Sequence, residues 1–319
     1  MAAGGGPVTG LVTVGETMGL IVQSTPGVPR NGEQMSFGIG GSESNVAIGV
    51  RRLGVPATWI GRVGDDPAGA MIVRELRAEQ VDAIVTVDPA PTGLMLRWRP
   101  AQQRGRVEYY RRGSAGSHLC VADIVEDAVA GAAAFHASGI TLALGPDPAA
   151  AVTHAMATAR DAGVPVSFDL NFRRALWTEA LAAPVLAAAV AQADVVFAGV
   201  DEAEIVTGTA DPMASALALA ALGPRQVVIK LGAAGCLAQI DGVTYERQAR
   251  VVPVHDTVGA GDAFVAGYLA ELIGGAPAER RLETGIAAGA WAVTVSGDWE
   301  GMPDRHALEL LDQAEPVVR

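Results

Sequence analysis

The stretch Asp256–Asp262 holds the residues of this sequence that are best suited to chemistry on an anion. It reads Asp-Thr-Val-Gly-Ala-Gly-Asp, and a predicted helix over Ala263–Ile273 follows it. Glycines let the backbone turn tightly and bring its N–H groups close to a ligand. The start of a helix adds unpaired N–H donors and the positive end of the helix dipole. The stretch therefore predicts a site for a phosphate whose charge grows or moves during a reaction.

Asp262 stands at the beginning of that helix, where its carboxylate would lie beside the predicted anion site. A carboxylate opposes phosphate binding, but it is useful if it accepts a proton from an attacking hydroxyl. We expect the helix dipole to keep it ionised, which makes it a weak but always available base. The other interpretation is an ordinary acidic residue at a helix start. The succession of a predicted strand, Arg250–Val254, a Gly-rich turn and a helix favours the base.

Several other motifs for binding phosphates or metals are absent from the sequence. It has no Gly-x4-Gly-Lys-Ser/Thr loop, which excludes a P-loop NTPase. The first predicted strand is followed by Gly15-Glu16-Thr17 instead of Gly-x-Gly-x-x-Gly, which removes the main support for a dinucleotide oxidoreductase. The 5 histidines show no metal-ligand spacing. Cys120 and Cys236 are too few for a disulfide framework, and we expect two buried thiols in a reducing cytoplasm.

Acidic residues exceed basic ones in this chain of 319 residues: 35 Asp and Glu stand against 23 Lys and Arg, a net charge of −12. Nucleic acids and anionic membranes bind clustered positive charge, so we expect neither as a partner. A small anionic substrate would need only a local group of Arg and Lys. No apolar run approaches the roughly 20 residues of a membrane span. Met1–Pro7 lacks basic residues and predicts a disordered tail instead of a signal peptide.

Short apolar strands alternate with Ala-rich helical segments along most of the chain, which predicts a mainly parallel sheet with helices on both faces. Asp66-Pro67 predicts a helix start with an end near Ala78, and Asp147-Pro148 predicts another that ends near Asp161. Ser44 or Asn45 could cap a helix that ends at Gly54. The predicted strands are Leu11–Val14, Ala57–Ile60, Ala133–Ala137, Val164–Phe168, Asp194–Ala198 and Gln226–Lys230.

Two early segments, about 15–40 and 91–112, break this alternation. The second predicts an antiparallel hairpin with a polar turn at Gln102–Gly105. One face of its first strand carries Leu94, Leu96 and Trp98, and the other carries Met95, Arg97 and Arg99. We expect a single domain over residues 1–319 with a small sheet drawn from both segments. That sheet could be a lid over a site, a decoration, or a contact between copies of the chain.

Two blocks of the sequence, far apart and in the order found in that family, resemble the ribokinase-like (PfkB-type) sugar kinases. One is Asp256–Asp262, and the other runs from Phe37 to Ala47 and continues as Ile60–Gly69. The resemblance implies a three-layer α/β/α fold with a β-sheet lid, ATP and Mg²⁺ as cofactors, and a sugar under the lid. It also implies that Gly259, Ala260 and Gly261 form the anion hole for the transferred phosphoryl group and that Asp262 is the base on the acceptor hydroxyl.

Within that family the sequence is most similar to kinases of 2-keto-3-deoxygluconate, through segments that include Tyr109–Ser117 and Asp169–Trp177. This implies transfer to the terminal hydroxyl of a sugar acid. The hairpin places Tyr109 and Arg111 on one face, and a guanidinium beside a phenol suits a carboxylate, whereas a neutral sugar does not need it. The substrate ligands implied are Gly40, Gly41, Asn45, Tyr109, Tyr110, Arg111, Arg173, Asp262 and Asp298.

The resemblance also implies a nucleotide site, in which the loop after the strand ending at Lys230 borders ATP. The residues implied are Asn171, Arg173, Lys230, Gly232, Gly235, Cys236, Thr257, Gly259 and Gly261, with Glu202 holding Mg²⁺ through water. Gly199, Ile286 and Met95 stand where such kinases usually carry Asn, Asn and Tyr. The alternatives are a kinase of fructose, ribose or 2-keto-3-deoxygalactonate, and an inactive sugar-acid binder. Contacts through the lid could also form a homo-oligomer.

Overall fold

Thirteen strands form two β-sheets in the part of the chain that the computed structural model describes, residues 10–101 and 104–311. In chain order they are β1 (Leu11–Val14), β2 (Met18–Gln23), β3 (Met35–Gly40), β4 (Ala57–Gly64), β5 (Asp82–Asp88), β6 (Leu94–Ala101), β7 (Arg104–Tyr110), β8 (Ala134–Ser138), β9 (Val166–Asp169), β10 (Val195–Gly199), β11 (Gln226–Lys230), β12 (Cys236–Ile240) and β13 (Val243–Arg247). The predicted tail Met1–Pro7 lies outside the described residues.

The larger sheet has the order β13-β12-β11-β10-β9-β8-β1-β4-β5. Its strands are parallel except for β12 and β13, which pair antiparallel at one edge. The register aligns Asp169 with Phe197, and Gly199 with Lys230, so the carboxyl ends of β9, β10 and β11 lie side by side. Strands β1 and β11 match their predicted bounds, and the predicted mainly parallel sheet is confirmed.

Helices cover both faces of the larger sheet, because its strands are apolar on both sides. The helices are α1 (Ser42–Arg52), α2 (Pro67–Ala78), α3 (Glu126–Ala130), α4 (Gly139–Leu142), α5 (Pro146–Asp161), α6 (Glu179–Val190), α7 (Val200–Thr207), α8 (Pro212–Ala220), α9 (Ala260–Ile273), α10 (Ala278–Ala292) and α11 (Arg305–Leu310). Val12 and Phe168 face α5, α6 and α8, whereas Leu11 and Phe197 face α1, α2, α9 and α10. None in the described ranges is long and apolar enough to cross a membrane.

The smaller sheet has the order β3-β2-β6-β7 and comes from the two segments that break the alternation. The predicted antiparallel hairpin is present as β6 and β7, and β6 also pairs parallel to β2. Its polar turn was predicted at Gln102–Gly105, where Gln102 and Gln103 lie outside the described residues. Met95 is buried on the inner face with Met18 and Leu20, while Leu94 on the other face is half-buried. The inner face lies over the carboxyl edge of the larger sheet.

Three local predictions differ from the structure. The strand predicted over Arg250–Val254 does not form: the chain there is irregular and Val251 is fully exposed. Helix α1 begins after Gly41, so Ser44 and Asn45 lie inside it instead of capping it. Helix α5 begins after Gly145, and Asp147 lies in its first turn. The predicted Asp66 cap of α2 is present, since its side chain accepts from the N–H of Gly69 at 2.8 Å.

Candidate functional site

A cleft separates the smaller sheet from the carboxyl edge of the larger one, where α/β sheets bind ligands. Residues from β2, β6 and β7 line one side. The start of α1, the segment after β9 and the glycine turn before α9 line the other. Of the predicted substrate ligands, those that line the cleft are Gly41, Asn45, Tyr109, Arg111, Arg173, Asp262 and Asp298.

The predicted glycine turn forms the N-terminus of α9. Gly259 caps the helix with a φ of +76°, a left-handed conformation that favours glycine. A Cβ on Gly259 would also lie 2.0 Å from the carbonyl oxygen of Asp298, so the space admits no side chain. A Cβ on Gly261 would lie 3.7 Å from Lys230 Nζ. The turn therefore places the free N–H groups of α9 beside a lysine ammonium group, which suits an anion.

Asp262 lies in the first turn of α9 with its carboxylate held by two donors. Ser42 Oγ donates to Oδ1 at 2.8 Å, and Asn45 Nδ2 donates to Oδ2 at 2.9 Å. Asn171 Nδ2 in turn donates to Ser42 Oγ at 2.8 Å. The sequence predicted Asn45, Asn171 and Asp262 as site residues but missed Ser42, whose signal was its place at the helix start directly after Gly40-Gly41.

Removal of water from its carboxyl raises the pKa of Asp262, although the bonds from Asn45 and Ser42 and the charges of Arg173 and Lys230 oppose this shift. The sequence led us to expect a carboxylate that the helix dipole keeps ionised at all times. The structure adds an opposing effect, because desolvation acts more strongly on the pKa of this group than its donors do. A raised pKa makes the carboxylate a stronger base, which it must be to accept a proton from a hydroxyl.

Lys230 stands at the end of β11 and forms a buried ion pair: its Nζ donates to Asp169 Oδ2 at 2.6 Å. Burial alone would lower the pKa of Lys230, but the carboxylates of Asp169 and Glu202 outweigh it and raise that pKa, so the ammonium stays charged. Glu202 follows β10, and its Oε2 accepts from the N–H of Gly199 at 2.7 Å. Burial raises the pKa of Glu202, and Asp169 adds to that shift.

The same group of residues fits a magnesium ion. Asp169 Oδ1 is buried and has no hydrogen-bond partner among the described residues, and Glu202 provides a second carboxylate nearby. Mg²⁺ in proteins is held by one or two carboxylates together with water and substrate phosphates. The described residues contain no group of three or more His, Cys, Asp or Glu suited to bind a metal alone. The sequence predicted Glu202 but missed Asp169.

Arg111 is buried at the cleft and paired with a carboxylate of the same chain. Its Nε donates to Glu16 Oε2 at 2.7 Å, and Ser114 Oγ donates to Glu16 Oε1 at 2.6 Å. Its guanidinium also lies over the ring of Tyr109, 5.7 Å from the centroid. Tyr109 and Arg111 therefore share a side, as predicted. Tyr110 points to the opposite face and is 65% exposed, which leaves its side chain outside the cleft.

Asp298 lies opposite Gly40 at the far end of the cleft. A Cβ on Gly40 would lie 2.3 Å from Asp298 Oδ2 and 2.4 Å from Met95 Cε, so any side chain there would displace these two groups. Arg97, from β6, reaches Asp298 Oδ1 at 3.3 Å and Asp256 Oδ2 at 3.2 Å. Burial raises the pKa of Asp298 to about 7 although Arg97 opposes the shift. Arg97 was predicted on this face of β6, but without a role in the site.

The predicted nucleotide loop turns tightly after β11, with positive φ at Gly232 and Gly235. Thr257 is exposed in the segment that leads into the glycine turn. Cys236 differs from the prediction, because it begins β12 with its side chain buried in the core, and only its backbone remains for a ligand. Ile286 is buried against α9 as a core residue. Both cysteines are free thiols.

Comparison with known proteins supports one family. The model of the pfkB family carbohydrate kinases matches residues 8–305. The 2-dehydro-3-deoxygluconokinases of Bacillus subtilis (strain 168) and Thermoproteus tenax are 35% and 39% identical, over 96% and 94% of both chains. The 2-dehydro-3-deoxygalactonokinase of Haloferax volcanii is 35% identical over 97% of this chain and 96% of its own.

Solved structures agree with this result. A PfkB protein from Polaromonas sp. JS666 superposes with a TM-score of 0.86 at 34% identity, over 94% of this chain and 99% of that one. A fructokinase from Vibrio cholerae O395, with fructose, ADP and calcium bound, gives a TM-score of 0.84 at 26% identity, over 97% and 100%. The predicted ribokinase-like fold is thereby confirmed, and the chain belongs to the pfkB family of carbohydrate kinases.

Proposed function

We propose that this protein transfers the γ-phosphoryl group of ATP to the terminal hydroxyl of 2-keto-3-deoxygluconate, giving the 6-phosphate and ADP. Relatives named for this activity match the chain over nearly its whole length, which supports the substrate. The observation that carries the chemistry is the carboxylate of Asp262, held by Ser42 and Asn45 beside the glycine turn of α9. A base, an anion hole and a cleft for a sugar are then in one place.

Phosphoryl transfer depends mainly on positioning and on stabilising charge. In the proposed reaction the terminal hydroxyl lies against Asp262, which accepts its proton as the oxygen attacks the γ-phosphorus. The bond from that phosphorus to the bridging oxygen of ADP breaks. The N–H groups of Gly259, Ala260, Gly261 and Asp262 stabilise the charge on the transferred group, with the Lys230 ammonium beside Gly261. Mg²⁺ on Asp169 and Glu202 would neutralise phosphate charge.

The cleft also offers the groups that a sugar acid needs. Arg111 and Arg173 supply positive charge for the carboxylate, and Tyr109 and Asn45 supply hydrogen bonds. Arg173 follows β9, is exposed, and affects the pKa of Asp262, so it lies within reach of either the sugar acid or the phosphoryl group. Closure of the smaller sheet as a lid would exclude water, which otherwise competes as the acceptor.

A kinase of 2-keto-3-deoxygalactonate is the second candidate. The Haloferax volcanii relative carries that name at 35% identity, equal to one of the gluconokinases. Met95 also lies beside Gly40 and Asp298 with a thioether where a phenol would offer a hydrogen bond, so one contact that could distinguish epimers is absent. An inactive sugar-acid binder fits less well, because Asp262 and the glycine turn are both in place.

One panel tests the proposal. ADP release is measured with ATP and each of 2-keto-3-deoxygluconate, 2-keto-3-deoxygalactonate, fructose, ribose and no sugar. We expect the highest kcat/KM with 2-keto-3-deoxygluconate. A higher value with the galactonate epimer supports the second candidate, and turnover of neutral sugars alone contradicts both. ADP release that no sugar accelerates would indicate a binder.

We also propose a cytoplasmic enzyme and a homodimer through the outer face of the smaller sheet. Two free thiols are consistent with a reducing compartment. The outer face carries Leu94, Leu96 and Trp98, each half-buried, and Phe37, which is 49% exposed. From these apolar side chains we infer that this face contacts a second copy of the chain. Sedimentation of wild-type protein and Trp98→Lys tests it: we expect a dimer that the variant loses, and a wild-type monomer contradicts the proposal.

A further inference from the structure

Arg97 is a buried cation that crosses the cleft from the smaller sheet to the body of the protein. It lies on β6 with only 7% of its surface exposed. One terminal nitrogen lies 3.3 Å from Asp298 Oδ1, and the other lies 3.2 Å from Asp256 Oδ2. The two carboxylates belong to separate segments, one before the glycine turn and one after α10. A single guanidinium therefore links three parts of the chain.

Both partners of Arg97 support the glycine turn. Asp256 Oδ1 accepts from the N–H of Val258 at 3.2 Å, within the turn itself. Ser296 Oγ donates to Asp256 Oδ2 at 3.4 Å, which ties the turn to the segment that carries Asp298. The carbonyl oxygen of Asp298 packs against Gly259 so closely that no Cβ would fit. Movement of either carboxylate would therefore be transmitted to the N–H groups of the turn.

Arg97 also balances negative charge at this end of the cleft. Asp298 is faced by the carboxylates of Asp262, Asp256 and Glu300, each of which raises its pKa in addition to burial. Arg97 is the cation that opposes this shift. Glu300 is held in place, because its Oε2 accepts from the N–H of Asp298 at 2.8 Å. Without the guanidinium the pKa of Asp298 would rise further, and the protonated carboxyl would be a weaker acceptor with one oxygen that donates.

We propose that Arg97 is a positioning residue for phosphoryl transfer. By bridging Asp256 and Asp298 it ties the smaller sheet to the glycine turn and orients the Asp298 carboxylate as an acceptor for a substrate hydroxyl. That Asp298 accepts from a substrate hydroxyl rests on the proposed function. The bridge that Arg97 forms between Asp256 and Asp298 does not. Lysine at this position would keep the charge, but its single ammonium group lacks the planar fork that spans two carboxylates.

The test compares Arg97→Gln and Arg97→Lys with a matched control, Arg106→Gln. Arg106 is also on the smaller sheet, but it is largely exposed and pairs with Glu108 at 3.2 Å. We expect Arg97→Gln to raise KM for the sugar about 10- to 100-fold, the effect of losing a charge-assisted hydrogen bond. The acidic limb of its kcat/KM profile should move to higher pH, because Asp298 then loses its proton only at higher pH.

Arg97→Lys should keep the acidic limb near its wild-type position while KM stays raised. This variant therefore distinguishes the effect of the positive charge on Asp298 from the effect of linking Asp256 to Asp298. In an Asp298→Asn background, Arg97→Gln should no longer move the acidic limb. Circular dichroism checks folding, and if Arg97→Gln does not fold, Arg97→Lys decides. Arg97 variants with the KM and pH profile of Arg106→Gln would overturn the proposal.

Failure of the proposed function would be visible in the wild-type protein, as no turnover of either keto-deoxy acid. The same comparison is then made with the sugar that the panel identifies. Hydrogen exchange gives a readout that needs no substrate: amides of β6 should exchange faster in Arg97→Gln than in Arg106→Gln. Equal exchange rates in the two variants would contradict the proposal that Arg97 ties the smaller sheet to the glycine turn.

Discussion

Asn45 Nδ2 lies 2.9 Å from Asp262 Oδ2, although the two residues are 217 positions apart in the sequence. Helices α1 and α9 make this contact possible by packing closely. A Cβ on Gly49 of α1 would lie 2.6 Å from the Cβ of Ala266 of α9, so glycine sets their approach. Asn45 and Ser42 then meet both oxygens of Asp262. The proposed base is therefore oriented by a helix remote in sequence.

Replacing Asp262 by Asn tests the base. The amide oxygen can still accept from Asn45, and the amide nitrogen can donate to Ser42 Oγ in place of the bond that Ser42 donates in the wild type. It cannot accept a proton, so we expect kcat to fall about 10²–10⁴-fold, the usual contribution of a general base. Titration calorimetry should show unchanged ATP binding. Asp161→Asn, at an exposed position, is the control, and wild-type turnover by Asp262→Asn would rule out the base.

Removing one donor to Asp262 should move the pH profile of kcat. Ser42→Ala deletes the bond that lowers the pKa of Asp262, so this pKa rises further above its usual range. The reaction needs the ionised form, which is lost as pH falls through the pKa, so the acidic limb should shift to higher pH. Ser44→Ala is a matched control, because Ser44 Oγ donates to the carbonyl of Gly41 and not to Asp262. Coincident limbs in the two variants would contradict the prediction.

Local signals predicted most of the fold. Short runs rich in Val and Ile identified β1 and β11 to the residue, and Asp66-Pro67 identified the start of α2. The apolar run Arg250–Val254 was the exception, because composition does not reveal whether a strand has a partner. Pro253 has no N–H for a ladder, and the sheet already ends at β13.

The site was predicted less completely. Asp262, Arg111 and Asp298 were found from motifs and lie on one cleft. Ser42, Glu16, Arg97 and Asp169 were not predicted as site residues, since each acts on a partner distant in the chain; Ser42 and Asp262 are 220 positions apart. No spacing in the sequence encodes such a pair. The predicted roles of the Cys236 and Tyr110 side chains do not fit the structure for a related reason. Strand alternation turns each side chain away from the cleft.

Arg111→Ala should discriminate sugar acids from neutral sugars. We expect a large loss of kcat/KM with keto-deoxy acids and little change with neutral sugars, because only the acids need the guanidinium. The structure adds a second consequence. The variant leaves Glu16 buried without its cation, which costs about 3–5 kcal/mol of stability when one partner of a buried pair is removed.

The double variant Arg111→Ala/Glu16→Gln separates the two effects. Its Gln can still accept from Ser114 Oγ, and no buried charge is left unpaired. We expect thermal unfolding to show that most of the lost stability returns, while activity on the acids stays low. Recovery of acid activity together with stability would mean that Arg111 acts only through folding.

Glu43 is a buried carboxyl that no motif singled out. It lies on α1, and its Oε1 accepts from Ser138 Oγ and Thr141 Oγ1, each at 2.7 Å. Its Oε2 has no hydrogen-bond partner in the described part of the chain, and a Cβ on Gly15 would lie 2.5 Å from it. Burial raises its pKa to about 7, with a smaller contribution from Asp262.

Glu43→Gln should therefore stabilise the protein at alkaline pH. A folded pKa of about 7 against 4.5 in the unfolded chain means that the contribution of Glu43 to stability is fully present below 4.5 and is lost as pH rises through 7. The loss is about 3 to 4 kcal/mol, at about 1.4 kcal/mol for each pH unit between the two pKa values. Gln takes no part in this titration, so the free energy of unfolding of the variant should exceed that of wild type above neutral pH, and the difference should shrink on acidification. Denaturant unfolding at several pH values measures it, with Glu246→Gln as the exposed control. A difference that does not change with pH would show that the pKa of Glu43 is the same in the folded and the unfolded protein.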